Sequence, residues 1–401
     1  MQDLLVFAVI LAALLIGFGA GIAFSRKRRA KRVFDPDAFW PQQHYFKGLT
    51  QLLNEEPDAA IDTFISSINV NSDTLETHLA LGSLLRRKGE VERAIRVHQN
   101  LLSRSNLTTD QQYTAQMELA LDYLRSGLLD RAEMLLKELA DAPKISNPMR
   151  KRALECLIEL YQDMREWLSA IDVADRLTAR KFSGPADKWR QQQAHYACEI
   201  AQTAITQKDW LTARRWVRTA MRHDKDCARA SLLSAQLDIA QKEYAKALIS
   251  LRQIVQQDER YLSEMLPLAY SCHKKLESMP VFLNELRALY EHKGELLVLR
   301  YLAKAVEMCE GGDAVISLLM QELPQYPQME VAGALLKIVL DERGPASLRN
   351  YVQVKGLLKK LTDSKYHYQC TSCGFTGEQL HWLCPSCKSW ASQQYTSVPH
   401  I

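Results

Sequence analysis

Glycine and proline are scarce in this chain, 16 and 13 among 401 residues, and no run of alternating apolar and polar residues persists. That excludes a body of short strands and tight turns, and it leaves helix as the dominant element. Charge of one sign is lacking too. The net charge is +4, and six Lys and Arg between Arg26 and Arg32 exceed it, so the rest of the chain sums to −2. Such a balance excludes a strongly basic nucleic-acid binder. Catalytic motifs are absent: there is no G-x-x-x-x-G-K-S/T, no G-x-G-x-x-G, no H-E-x-x-H and no G-x-S-x-G. The ten histidines are scattered singly. The chain therefore reads as a non-enzyme with no catalytic and no cofactor-binding constellation.

Long apolar runs are limited to one. Leu4 to Phe24 is 21 residues without a charge, long enough to span a bilayer as a helix. Asp3 precedes it, and Arg26, Lys27, Arg28, Arg29, Lys31 and Arg32 follow. Cationic flanks stay in the cytoplasm, so everything after residue 25 is expected there. A cleaved signal peptide would carry its charge before the apolar run, the opposite order. The basic flank would also touch anionic lipid headgroups. Gly17 and Gly21 have the spacing that lets membrane helices pack closely into a homo-oligomer, although glycine is common in membrane helices in any case.

Cysteine is clustered. Cys370, Cys373, Cys384 and Cys387 form C-x2-C-x10-C-x2-C. Each C-x2-C turn directs two sulfurs inward, and two turns supply the four soft donors of one tetrahedral ion. Gly374 permits a left-handed turn after the first pair, and Pro385 stiffens the second. One iron or zinc ion is expected, since a tetrahedral set of four sulfurs suits either. In a cytoplasmic chain, clustered cysteine reads as metal rather than disulfide. The other five, Cys156, Cys198, Cys227, Cys272 and Cys309, lie among apolar neighbours and read as small buried hydrophobes.

Between anchor and cysteines a period of about 34 residues recurs. Leu81-Gly82 at the centre of one helix is followed by Lys88-Gly89-Glu90 and a second helix opening on Ala94. That is a tetratricopeptide pattern. Gly48 and Ala60 precede Gly82 and Ala94 by 34 each, and Ala247 follows Ala213 by 34. Ala132 and Ala170 hold the same slot, Val281 falls in it in a weaker copy, and Gly311-Gly312-Asp313-Ala314-Val315 is a degraded last one. Longer steps of 38, 38 and 43 place insertions near Ser103 to Thr109, Pro143 to Pro148 and Arg180 to Asp187. His44 and His78 fall in a packing slot. Trp167, Trp210 and Tyr244 follow the inter-helix turn, where an aromatic packs on the next unit. Stacked repeats of this kind curve into a superhelix whose groove binds peptides or proteins.

The predicted organisation is all-α. An anchor covers residues 1–25, a basic juxtamembrane linker 26–40 and a tetratricopeptide array 41–343. A closing helix covers 344–365, a rubredoxin-like or zinc-ribbon-like metal module 366–392 and a tail 393–401. The closing helix, Pro345 to Leu361, leads into the module with no Gly/Ser linker, which predicts a module docked on the last repeats. Trp382 and Trp390 are its docking or mini-core residues.

An N-terminal anchor, HLALGSLLRRKGEVERAIRVHQNLL and YHYQCTSCGFTGEQLHWLCPSCKSW together resemble the bacterial lipopolysaccharide assembly protein B family over essentially the full chain. The module is similar to a shortened rubredoxin, but Lys388 stands after the second cysteine pair where rubredoxins carry glycine. The resemblance implies an adaptor at the cytoplasmic face of the inner membrane that regulates lipopolysaccharide synthesis. It implies three sets of partners: a membrane AAA+ protease, the lipid A deacetylase that the protease degrades, and membrane proteins of lipopolysaccharide transport and sensing. Two other readings of the cysteines stand beside it, an iron redox protein and a zinc-ribbon nucleic-acid binder. Residues 366 to 392 hold only Lys388 against Glu378 as formal charges, which argues against the second.

Overall fold

The structure, a computed structural model, describes residues 72–104, 107–179, 186–322 and 368–396. The anchor at Leu4 to Phe24, the basic linker, the copy at Gly48 and Ala60, His44 and the closing helix lie outside them. Among the described residues no helix is long and apolar enough to cross a membrane.

The chain forms two compact units, residues 1–145 and 146–401. The first contains α1 (Ser72–Lys88), α2 (Val91–Leu102), α3 (Thr109–Ser126) and α4 (Leu129–Asp141). The second contains α5 (Asn147–Met164), α6 (Trp167–Ala179), α7 (Ala186–Thr206), α8 (Trp210–His223), α9 (Ala228–Ala240) and α10 (Tyr244–Gln257). It continues through α11 (Leu262–Lys275), α12 (Met279–Lys293), α13 (Leu296–Glu310) and α14 (Gly312–Glu322). Within each unit, helices adjacent in sequence pack in pairs. The module adds β1 (Tyr368–Cys370), β2 (Thr376–Gly377) and β3 (Gln393–Tyr395) as an antiparallel sheet ordered β2-β1-β3.

One turn recurs inside the helix pairs. The first helix ends on a left-handed residue: Gly89, Gly127, Arg165, Lys208, Lys242 or Glu277. The next residue's N–H then bonds back five positions, as in Leu128 N to Tyr123 O (2.9 Å), Glu166 N to Tyr161 O (2.8 Å) and Glu243 N to Asp238 O (2.8 Å). This closes the orphan carbonyls of the helix end. Glycine marks only some of these turns in the sequence. The rest hold the same conformation with a side chain that costs roughly 1–2 kcal/mol.

The fourth residue of the second helix faces the crossing. Ala94, Ala132, Ala170, Ala213 and Ala247 are all 0% exposed there. In α12 that position is Phe282, 3% exposed, whereas Val281 is 50% exposed. The expected slot is therefore corrected by one residue, because α12 starts at Met279 and its fourth position sets the buried face. In α14 the buried residue is Val315. The Leu-Gly centre of α1 has its own cause: a Cβ on Gly82 would lie 2.3 Å from His98 Nε2. His98 is fully buried, and its Nδ1 lies 2.5 Å from Asp122, which also pairs with Arg86 at 2.7 Å. His78 is buried, as its packing slot requires. Cys156, Cys198, Cys227 and Cys272 are buried too, while Cys309, in the last turn of α13, is exposed. Trp210 and Tyr244 lie half-buried against the cores of unit 2.

The turn geometry gives a direct test. Lys242 is an exposed left-handed residue with φ +62°. Lys242→Gly should stabilise the chain by about 0.5–1 kcal/mol, the reverse of the usual penalty for glycine. Gly127→Ala, at φ +78°, should cost a similar amount. Thermal denaturation of both variants checks the pair of signs.

Candidate metal centre

Two similar turns build the centre. In the first, Gly374 N bonds Cys370 O (2.9 Å) and Cys370 N bonds Phe375 O (2.7 Å). In the second, Lys388 N bonds Cys384 O (2.9 Å) and Cys384 N bonds Ser389 O (3.0 Å). Gly374 has φ +79° and Lys388 φ +56°, so lysine holds the left-handed conformation that glycine holds in its twin. The β1–β3 ladder brings the two turns together, and an isolated bridge between Leu383 and Trp390 closes the base of the second.

All four sulfurs lie within 4.8 Å of one another. Cys370 Sγ to Cys387 Sγ and Cys373 Sγ to Cys384 Sγ are each 3.7 Å. An ion holding sulfur at about 2.3 Å has tetrahedral edges of about 3.8 Å, so the donor set fits one tetrahedral ion. Cys370 and Cys384 are buried, and Cys373 and Cys387 are exposed. Desolvation alone would raise the Cys370 thiol, but Ser392 and the backbone N–H groups of Cys373 and Ser372 bring it down to about 6. Desolvation, with Cys387 and Cys370 alongside, pushes Cys384 up to about 11. Four thiols this close cannot all ionise without a cation among them, and a cation at the centre removes that conflict.

The module is pressed onto helices of its own unit. Trp390 stacks on His195 of α7 with centroids 5.0 Å apart and planes 10° from parallel. Its Nε1 donates to Gln162 Oε1 of α5 at 2.8 Å. Its ring also meets Trp167 and Tyr196 edge-on at 6.1 and 5.7 Å. Trp382 lies 4.5 Å from Tyr261, in the 3-10 turn before α11. The Arg229 guanidinium, on α9, sits 5.5 Å from the Trp382 ring and 5.9 Å from the Trp390 ring. Lys388 Nζ reaches both carboxylate oxygens of Asp163 at 2.5 and 2.7 Å. Tyr368 Oη donates to Glu264 of α11. The expected docking on the last repeats is thus widened: the module packs on the cluster that α11 shares with α12 and α13, and it also reaches back to α5, α7 and α9. A module so seated touches several first helices at once.

Sequence reasoning singled out the four cysteines and the two tryptophans. It missed Gln162, Asp163, His195, Arg229 and Glu264. Lys388 was legible only as a departure from glycine, the one signal that it has a separate task.

Residues 368–393 match the family described as "Rubredoxin metal binding domain". The chain is 34% identical over 368 residues to lipopolysaccharide assembly protein B of Escherichia coli (strain K12), covering 91% of this chain and 92% of that one. It is 30% identical over 379 residues to the protein of that name from Haemophilus influenzae, again covering 91% and 92%. Among solved structures it is similar to a tetratricopeptide repeat protein from Parabacteroides merdae. That likeness is 14% identical, covers 70% of this chain and 98% of the other, and has a TM-score of 0.31. It is too distant to add to the fold described above.

Trp390→Ala should undock the module, removing about 2–4 kcal/mol of buried aromatic contact, while the cysteine turns still hold their ion. One metal per chain, with faster hydrogen exchange in α7 around His195, is the expected result. Cys384→Ser should instead lose the metal and loosen the whole module. Burial, with the Arg229 cation second, lowers His195 to about 3. The unfolded chain titrates near the ordinary value, about 6.5, and binds that proton first. Stability is therefore expected to fall as pH drops below about 6.5. Denaturation of unit 2 between pH 7 and 5 should show a flatter pH dependence in His195→Phe.

Proposed function

The chain belongs to the lipopolysaccharide assembly protein B family, and we propose that it is a membrane-anchored cytoplasmic adaptor regulating lipopolysaccharide synthesis. Leu4 to Phe24 is the single anchor in the inner membrane, and the helical body lies on the cytoplasmic side. The adaptor brings the lipid A-committing deacetylase to a membrane AAA+ protease. It also contacts membrane proteins of lipopolysaccharide transport and sensing. Tethering raises the effective concentration of partners without a new contact. Cys370, Cys373, Cys384 and Cys387 hold one iron or zinc ion. The ion's part is structural, closing a module too small to build its own core.

One observation carries this reading. The metal module is not presented as a free redox carrier: Trp382, Trp390 and Lys388 fix it to α5, α7, α9 and the turn before α11. A docked module and the first helices of the repeats then form one surface, and a surface suits an adaptor. The relatives' shared name, lipopolysaccharide assembly protein B, supplies the pathway.

Deacetylase abundance tests it. Removing residues 366 to 401, or Cys384→Ser, should raise the deacetylase and make lipopolysaccharide accumulate, with the repeats still helical by circular dichroism. A normal deacetylase level would overturn the reading. Replacing iron by zinc in the centre should leave that level unchanged, and a loss of function there would instead favour the redox reading. A chain starting near Asp35 should fold, stay soluble and fail to restore normal deacetylase levels in a deletion strain.

A further inference from the structure

Beside the docked module, α5, α7 and the segment leading into α9 leave a cleft of about 830 Å³, within the roughly 300–1,000 Å³ typical of ligand sites. The cleft lies wholly inside the second unit. Its charges do not balance. Asp163 is taken by Lys388 and Asp258 by Arg260, while Arg229 pairs at 2.8 Å with Glu199, which does not line the cleft. Glu159, Asp224 and Asp226 make no ion pair among the described residues. Against these three carboxylates stand two cations, Lys188, whose ammonium lies 5.4 Å from the Trp189 ring centroid, and the Arg229 guanidinium. Partial desolvation raises Glu159, the Asp163 and Glu155 carboxylates raise it further, and Lys188 and Lys388 offset only part of that rise. Burial also raises Asp224. These are carboxylates held together with too little positive charge beside them.

A second observation is independent of that charge. His195 and Tyr261 line the same cleft and are 7% and 2% exposed, yet His195 Nδ1 and Tyr261 Oη have no hydrogen-bond partner. The Nε and Nη1 atoms of Arg229 have none either, under the tryptophan faces. A buried polar atom without a partner costs about 1–3 kcal/mol. A neutral imidazole and a phenol can both bond to the amide groups of an extended peptide.

We propose that this cleft binds an extended peptide segment rich in lysine and arginine, with Glu159, Asp224 and Asp226 meeting the cations and His195 and Tyr261 meeting the peptide backbone. The proposal deepens the adaptor reading and rests on it. Partners embedded in the inner membrane carry Lys/Arg-rich flanks on their cytoplasmic side, the side on which that reading places the cleft. The module supplies one wall of the cleft through Trp390 and Lys388, so the partner would be read by array and module together.

The test uses the full metal-loaded chain in detergent and two fluorescein-labelled peptides of equal length, one of Lys, Arg and Ala, the other of Glu and Ala. Fluorescence anisotropy should show salt-sensitive binding of the basic peptide and none of the acidic one. The triple variant Glu159→Gln, Asp224→Asn, Asp226→Asn should weaken binding about tenfold, as three exposed ion pairs imply, with metal content and helicity unchanged. Equal affinity in the variant, or equal binding of the acidic peptide, overturns the proposal. So does displacement by spermidine at the same concentration as the peptide, which would mark a small-cation site. Binding that appears only after the cations at Arg26 to Arg32 are replaced by serine also overturns it, because the chain's own flank would be the occupant. Deacetylase abundance is measured in parallel on the chain lacking residues 366 to 401. Raised deacetylase with no peptide binding to the full chain sinks this inference alone. Normal deacetylase with intact peptide binding to the full chain sinks the adaptor reading alone and leaves the cleft's chemistry supported.

Discussion

Two cysteine turns and three strands of two or three residues bury too little apolar surface to fold unaided, and this shortage shapes the second unit. A four-sulfur centre closes the turns from inside. From outside, the module takes a core from the repeats. Leu380, Trp382 and Ala391 pack against a cluster built largely from α10 to α13, and Trp390 enters an aromatic group made of Trp167, His195 and Tyr196. The repeats have the complementary shortage, since first helices in a stack keep one face open. In the second unit the module covers part of that face.

Lys388 shows how one side chain serves both demands. Its backbone adopts the left-handed turn that Gly374 takes in the twin, at a cost that glycine would avoid. Its ammonium reaches 225 positions back along the chain to Asp163. An exposed pair of this kind is worth little by itself. Its value is geometric, because it fixes the edge of the second turn on α5 while the Trp390 indole fixes the neighbouring point on Gln162. Glycine at position 388 would favour the turn and lose that anchor.

Local chemistry was legible in the sequence, and distant pairing was not. The cysteine spacing pointed to the sulfur cluster because donors three positions apart share one turn. Alanine marked the crossing in five second helices because only a small side chain lets the axes approach there. Glycine marked the intra-pair turn at Gly89 and Gly127, but Arg165, Lys208, Lys242 and Glu277 adopt it without any sequence sign. There the back-bonded helix end imposes the conformation against the residue's own preference. Val281 was placed in the slot that Phe282 fills, since a one-residue change in register is invisible where both neighbours are apolar. Gln162, His195 and Arg229 are unremarkable polar residues until the fold brings two tryptophans over them.

The same junction explains why its polar groups are of these kinds. Arg229 is 5% exposed and has one carboxylate partner, Glu199, which itself stays partly exposed. A buried cation with so little countercharge is costly in an aliphatic core. Two indole faces offset part of that cost through their negative quadrupoles, and a neutral His195 adds no second positive charge beside it. Aliphatic residues in place of Trp382 and Trp390 would bury less area and leave the guanidinium without that compensation. The junction therefore selects tryptophan on the module and arginine on the array as a matched set. The cleft beside it inherits its rigid wall from that match.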